Sequence, residues 1–239
     1  MLVDEPGDPA WNMSVDGALL AVGAAPTLRL YGWRPHAVSL GYFQSLSAFA
    51  DLPDGTVVVR RATGGGAIHH GEELTYALAV DADLLPKDLA ESYRLLHDAI
   101  QRALGRVGVA CRRATEGRLS ARPDDPWCFS HPVQGDLVTD RGKLCGSAQR
   151  RVASPRPRVL HHGSLVLRRP GLTPFVAAVE DQVEPSAEVQ RRLRRSVADE
   201  LGDALGMSPE PGALSAQERA VASELLRDVF GAAAHLRRR

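Results

Sequence analysis

Apolar positions along this chain switch between two periods. In "LAESYRLLHDAIQRALGRVG", Leu89, Tyr93, Leu96, Ile100, Leu104 and Val107 recur every three or four positions. That spacing predicts a helix with one apolar face, and Gly108 follows its end. "WNMSVDGALLAV" reads as a shorter helix with Met13, Ala18 and Leu19 on one face. Elsewhere the period is two. "TLRLYGW" and "AVSLGYF" read as two strands joined by a turn at "RPH". "TVVVRR" is a third strand, running into the glycine-rich "ATGGGAIHHGEE", and "LTYALAV" is a fourth. "VACR" reads as a short strand, and residues 114–127 as a polar, proline-containing loop. "GDLVTD", "KLCGSAQRR" and "VLHHGSLVLR" read as three more strands, the first two meeting at a tight turn near Arg141-Gly142, with "SPRPR" a loop before the third. After Pro170 the pattern turns helical: "AEVQRRLRRSVADELGDAL" and "SAQERAVASELLRDVFGAAAHL" read as helices. The second opens with Ser215 and Glu218 at capping-box spacing. The expected fold class is α+β: a central mixed β-sheet flanked by helices over residues 1–170, with a helical C-terminal extension over residues 171–239 packed on the same domain.

Length and composition narrow the function classes. The chain has 239 residues, 44% hydrophobic and 24% charged, which suffices for one large domain with a sizeable core. Basic and acidic residues balance at 29 each, so nothing global argues for nucleic acid or an anionic membrane as partner. No apolar run reaches membrane-spanning length. The acidic, proline-rich start "MLVDEPGDPAWN" has no signal-peptide character, so a cytoplasmic location with free thiols is expected. Lysine occurs only at Lys87 and Lys143, leaving 27 of the 29 basic residues as arginine. In a chain that uses arginine nearly everywhere, a surviving lysine marks a place where arginine cannot serve.

Three stretches carry candidate chemistry. Gly64, Gly65 and Gly66 follow a strand and permit a backbone that other residues could not follow without strain. Flanked by Arg60, Arg61, His69 and His70, they suggest a ligand loop whose N–H groups approach a bound group closely. It is neither a P-loop nor a dinucleotide fingerprint. Cys111 and Cys145 lie on expected strands and fit buried hydrophobes. Cys128 sits at a loop exit, where active-site residues tend to be found. A free thiol titrates near ~8.5, and a neighbouring cation lowers that. Lys143 is the candidate cation, one short strand and its turn away. Lysine can take the thiol's proton and return it, whereas arginine stays protonated. The "GSA" of Gly146, Ser147 and Ala148 supplies small residues and N–H groups for an oxyanion. His161 and His162 precede a glycine on a strand, and one of them is a candidate ligand contact. With His69, His70 and Cys128 they lack CxxC or helical spacing, so no metal site is expected.

Taken together, the motifs "WNMSVDGALL", "LRLYGWRPHAVSLGYFQ", "RRATGGGAIHHGEELTYALAV", "CFSHPVQGDLV", "GKLCGSAQRR" and "VLHHGSLVL" resemble those of the lipoate-protein ligase A and octanoyltransferase family, in that family's order, over about residues 3–168. The "CF" of Cys128-Phe129, fifteen residues before Lys143, resembles the cysteine-dependent branch that modifies the glycine cleavage H protein. Two positions depart from the family's motifs. His69-His70 stand where the family carries His-Asp. The loop is Gly-Gly-Gly, as in ligases, where the octanoyltransferase branch often has an arginine.

The resemblance implies the biotin/lipoate protein ligase catalytic fold and acyl transfer without ATP. Cys128 would attack the octanoyl thioester of acyl carrier protein, with Lys143 stabilising the thiolate and handling the proton. A lysine of a lipoyl domain or of glycine cleavage H protein would then take the acyl group. The substrate would lie along Arg60, Arg61, Thr63, Gly64, Gly65, Gly66, Ala67, His69 and His70, and along Gly146, Ser147, Ala148, His162, Gly163 and Ser164. Under this reading no cofactor is needed. One rival is a lipoate–protein ligase that uses ATP and Mg²⁺, with Cys128 a bystander. The other is a non-catalytic module that binds lipoate or a lipoyl domain.

Overall fold

The computed structural model of the chain describes residues 1–115 and 125–238. A seven-stranded mixed sheet runs in the order β1 (Leu2–Val3), β2 (Thr27–Tyr31), β6 (Glu73–Asp81), β10 (Arg158–Val166), β9 (Gly142–Val152), β8 (Leu137–Thr139), β7 (Arg112–Arg113). Only β1 and β2 pair in parallel. A smaller sheet holds β3 (Ala37–Leu40) between β4 (Val57–Arg60) and β5 (Ile68–His70).

Strand periodicity sorts the two faces of the large sheet. Leu28 and Leu30 of β2 and Leu74, Tyr76, Leu78 and Val80 of β6 face α2 (Leu89–Gly105) and α3 (Ala187–Leu205), where they meet Leu96, Ile100, Leu104, Leu193, Val197 and Leu201. The intervening Tyr31, Ala77 and Ala79 face α1 (Pro9–Val22), meeting Met13, Ala18 and Leu19. Ala222 of α4 (Ala216–Leu225) and Phe230 complete that second core. The central strands β6 and β10 are buried nearly end to end, so both their faces are covered. The helices begin where side chains cap free N–H groups: Asp8 accepts from Trp11 N at 2.9 Å, Asp88 from Glu91 N at 2.8 Å, and Ser215 with Glu218 forms the expected capping box.

Four details depart from the sequence reading. The strands flanking "RPH" do not pair: β2 already has β1 and β6 on its two edges, so β3 joins the other sheet. "VACR" contributes only its last residue, Arg112, to β7, because the N–H groups of Val109 and Ala110 bond to Leu104 O and to Gln182. Leu89, counted in the apolar stripe, is 55% exposed at the first turn of α2. The last expected helix is interrupted: after α4 the backbone widens over Leu226–Phe230, where Gly231 N bonds back to Leu226 O, and a short α5 (Ala233–Leu236) follows. Most of the polar loop expected at 114–127 lies outside the described residues. Among the described residues no helix is long and apolar enough to cross a membrane.

Candidate active site

Small side chains on the α1 face of the sheet open a trough. Tyr31, Thr75, Ser164 and Gly146 stand abreast across β2, β6, β10 and β9, and Arg29, Ala77, His162 and Ala148 form the neighbouring row. Above these rows Met13 of α1, the glycine loop at Gly64-Gly65, Ile68 and Cys128 close a cleft of about 430 Å³, counted out to its open mouth. Apolar walls dominate it, as they do in small-molecule sites. At one end His70 stacks on Trp33 at 3.7 Å between ring centroids. His70 is held by Ser39 Oγ at 2.6 Å and Glu73 Oε1 at 2.9 Å.

Arg61 shapes the glycine loop from beneath. Buried, it donates to the carbonyls of Gly64 at 3.1 Å and Gly66 at 2.9 Å, and to Ser39. With those carbonyls turned inward, the loop presents its other side to the cleft. A Cβ at Gly66 would lie 2.7 Å from Cys128 N, so only glycine lets this loop lie against the cysteine. Reciprocal backbone bonds lock the arrangement: Ala67 N to Pro126 O and Cys128 N to Ala67 O, both 2.8 Å. The glycine loop thereby fixes the segment that carries Cys128.

Lys143 Nζ stands 3.4 Å from Cys128 Sγ and 2.8 Å from Asp136 Oδ2, with Lys143 and Asp136 both 2% exposed. Burial pulls the Lys143 ammonium toward its neutral form. The neighbouring Cys128 and the Asp136 carboxylate outweigh that and raise it above its ordinary range. At rest the lysine therefore carries its proton. Room for it comes from Gly146, where a Cβ would overlap the Cε of Lys143.

Asp136 escaped the sequence reading, which took "GDLVTD" as a plain strand. An acidic residue at the head of that strand, seven positions before an isolated lysine, was the available signal. Its carboxylate also accepts from Val133 N at 2.8 Å, which fixes its rotamer.

The expected site residues divide into three groups. Arg61, Gly64, Gly65, His70, Cys128, Gly146, Ser147, Ala148, His162, Gly163 and Ser164 line the cleft. Thr63, Gly66 and Ala67 stand behind it; Thr63 Oγ1 bonds His162 Nε2 at 2.7 Å, and the opposite ring nitrogen meets Asp16 at 3.4 Å. Ser147 brings backbone to the cleft while its hydroxyl bonds His97 of α2 at 2.5 Å. Arg60 and His69 are corrections, lying outside it. The Arg60 guanidinium grips the carbonyls of Gly41, Tyr42 and Gln44 on one side and of His235, Leu236 and Arg238 on the other. His69 alternates with Ile68 and His70 along β5, so its ring turns to a separate crevice and accepts from Leu172 N at 3.2 Å. His161 is likewise packed, against Tyr93 and His97 beneath the sheet.

The profile of the family "Lipoyl protein ligase A/B catalytic domain" matches residues 8–215. Among known relatives, the octanoyltransferase LipM of Kyrpidia tusciae is 34% identical over 258 aligned positions, covering 92% of each chain. That of Symbiobacterium thermophilum is 31% identical, covering 92% of this chain and 91% of the relative. The backbone superposes on a T. acidophilum protein solved with bound lipoic acid (TM-score 0.80, 22% identity, 99% and 97% of the two chains). It also superposes on a lipoate-protein ligase A bound with ATP (TM-score 0.79, 22% identity, 98% of each). With its glycine loop and cysteine on one trough and its lysine against that cysteine, the chain belongs to the lipoyl protein ligase A/B catalytic domain family.

Proposed function

We propose that the protein is an octanoyltransferase of protein lipoylation that works through an acyl-enzyme on Cys128. The observation that carries this reading is the buried ammonium of Lys143, 3.4 Å from a cysteine sulfur that opens onto an apolar cleft. A ligase that activates its acid with ATP has no use for that pair.

The donor is the octanoyl thioester of acyl carrier protein. The Cys128 thiolate attacks its carbonyl carbon while the octanoyl chain lies in the trough. The donor's C–S bond breaks, and the leaving thiolate takes a proton from Lys143. Backbone N–H groups near Gly146-Ser147 hold the oxyanion. The acceptor is a lysine of a lipoyl domain, with glycine cleavage H protein the specific candidate. Its amine attacks the acyl-enzyme and an amide forms. Thioester exchange is nearly balanced in free energy, and the amide draws the sequence forward, so no nucleotide is consumed.

Intact-protein mass after mixing with octanoyl-acyl carrier protein, without ATP, tests this. The expected result is a hydroxylamine-sensitive octanoyl adduct on the wild type and none on Cys128→Ala. If no adduct forms, but an acceptor domain is modified once ATP and free octanoate or lipoate are supplied, the protein is a ligase.

A further inference from the structure

We propose that Asp136 is a positioning residue that makes Lys143 the proton acceptor of the amide-forming half-reaction. The proposal rests on the acyl-enzyme reading above. Cys128, Lys143 and Asp136 form a line in which the lysine bonds sulfur at 3.4 Å on one side and carboxylate at 2.8 Å on the other. Once the sulfur is acylated it is neutral, and beside the Cys128 carbonyl at 3.4 Å and the Phe129 ring the Asp136 carboxylate supplies the negative charge facing Nζ.

The proton balance over one turnover requires such an arrangement. In acylation Lys143 gives its proton to the leaving thiolate and becomes a neutral amine. The acceptor lysine arrives mainly as an ammonium, because its ordinary value is ~10.4. It sheds one proton to solvent on becoming an amine. Its nitrogen then attacks, the C–N bond forms, the C–Sγ bond breaks, and the second proton passes to Lys143 Nζ. Cys128 leaves as thiolate, and the resting ion pair returns. The receiving group must be free of its own proton and stand beside the nitrogen that attacks at Cys128, and the Lys143 amine, held there by the Asp136 carboxylate, meets that demand.

The other titratable groups around this line do not. His97 of α2 spends Nδ1 on Gly135 O at 2.6 Å and Nε2 on Ser147, and burial lowers it. Tyr93 of α2 and Cys145 of β9 are pushed up by burial and stay protonated. Arg61 is a fixed cation committed to the glycine loop. His97 also ties the Asp136 turn to β9 through Gly135 and Ser147, so carboxylate and lysine are held by a common brace.

Measuring the two half-reactions separately tests the assignment. Asp136→Asn should slow adduct formation less than it slows the transfer step. Transfer from the adduct to a lipoyl domain should fall by about 100-fold at pH 7, the usual scale of general-base assistance, and recover as pH rises toward 9. Release by hydroxylamine, a weakly basic nucleophile whose addition product sheds its proton to water unaided, should be unchanged. Asp136→Glu should restore part of the transfer rate. Equal losses with hydroxylamine and lipoyl domain, or no loss with either, overturn the proposal. A wild type that forms no adduct overturns the octanoyltransferase reading instead. Should the asparagine variant unfold, Asp136→Glu carries the test, since it keeps the charge but moves it: slower transfer to the lipoyl domain with unchanged hydroxylamine release supports the assignment, and equal effects on both overturn it.

Discussion

At the scale of single residues, this site depends as much on missing side chains as on reactive ones. Lys143 reaches Cys128 through the volume that a side chain at Gly146 would occupy. Gly146→Ala leaves Cys128 and Lys143 in place chemically but forces the lysine aside. A displacement of about 1 Å in a reacting group costs on the order of 100-fold in rate. We therefore expect adduct formation to slow by about that factor in Gly146→Ala. The overpacking should cost only ~1–3 kcal/mol of stability. Stopped-flow acylation alongside thermal melting checks it; unchanged acylation in a folded variant would remove Gly146 from the argument. The scarcity of lysine in the sequence pointed to Lys143, and the pairing with Cys128 was legible as a candidate. Asp136 was not, because a lone acidic residue beside a strand has no sequence signature until the fold brings it to Nζ.

At the scale of elements, Arg60 connects two pieces far apart in the chain. Fully buried, it holds three carbonyls of the 41–44 loop, which backs the glycine loop, and three of the segment containing α5. Gly41 packs so tightly on Gly65 that a Cβ there would overlap the Gly65 carbonyl. The Arg60 clamp thus bears on the loop that packs against the glycine loop. Arg60→Ala leaves these buried acceptors without their donor, at ~1–3 kcal/mol for each one that finds no replacement. Hydrogen exchange should quicken together in residues 41–45 and 233–238 while α2 and α3 keep their protection. Faster exchange at only one of the two segments would contradict a shared clamp. Sequence periodicity located the elements well, since buried faces demand it. It was silent on partners: β2 and β3 look like a hairpin in sequence, but β2 has both edges taken and β3 goes to the second sheet.

At the scale of the whole molecule, buried charges under the trough tie stability to pH. Asp16 of α1 is buried, which by itself would raise its carboxyl. The hydrogen bond from His162 and the charge of Arg29 outweigh that, and it lies below its ordinary 3.8. A depressed carboxyl binds protons less readily folded than unfolded. Its contribution is therefore complete above about pH 4 and lost as pH falls through the lower folded value. Denaturant midpoints between pH 7 and pH 2.5 should drop on the acid side, and Asp16→Asn should flatten that limb while lowering stability at neutral pH. An acid limb equally steep in the variant would assign the pH dependence elsewhere.

The sequence by itself determined which segments are helix and strand, because period and burial are linked residue by residue. It also singled out a glycine loop, a cysteine, a lysine and a histidine strand as resembling one family's motifs, because their types and order survive without coordinates. The tertiary structure alone decided which of these share a cavity. Arg60 and Arg61 are neighbours in sequence, yet one grips the segment containing α5 and the other the glycine loop, since successive side chains of an extended segment point opposite ways. His69 and His70 part for the same reason. The Asp136–Lys143 pair and the space at Gly146 likewise arise only when β8 and β9 are laid against each other, because distance between side chains is a property of packing and not of order along the chain.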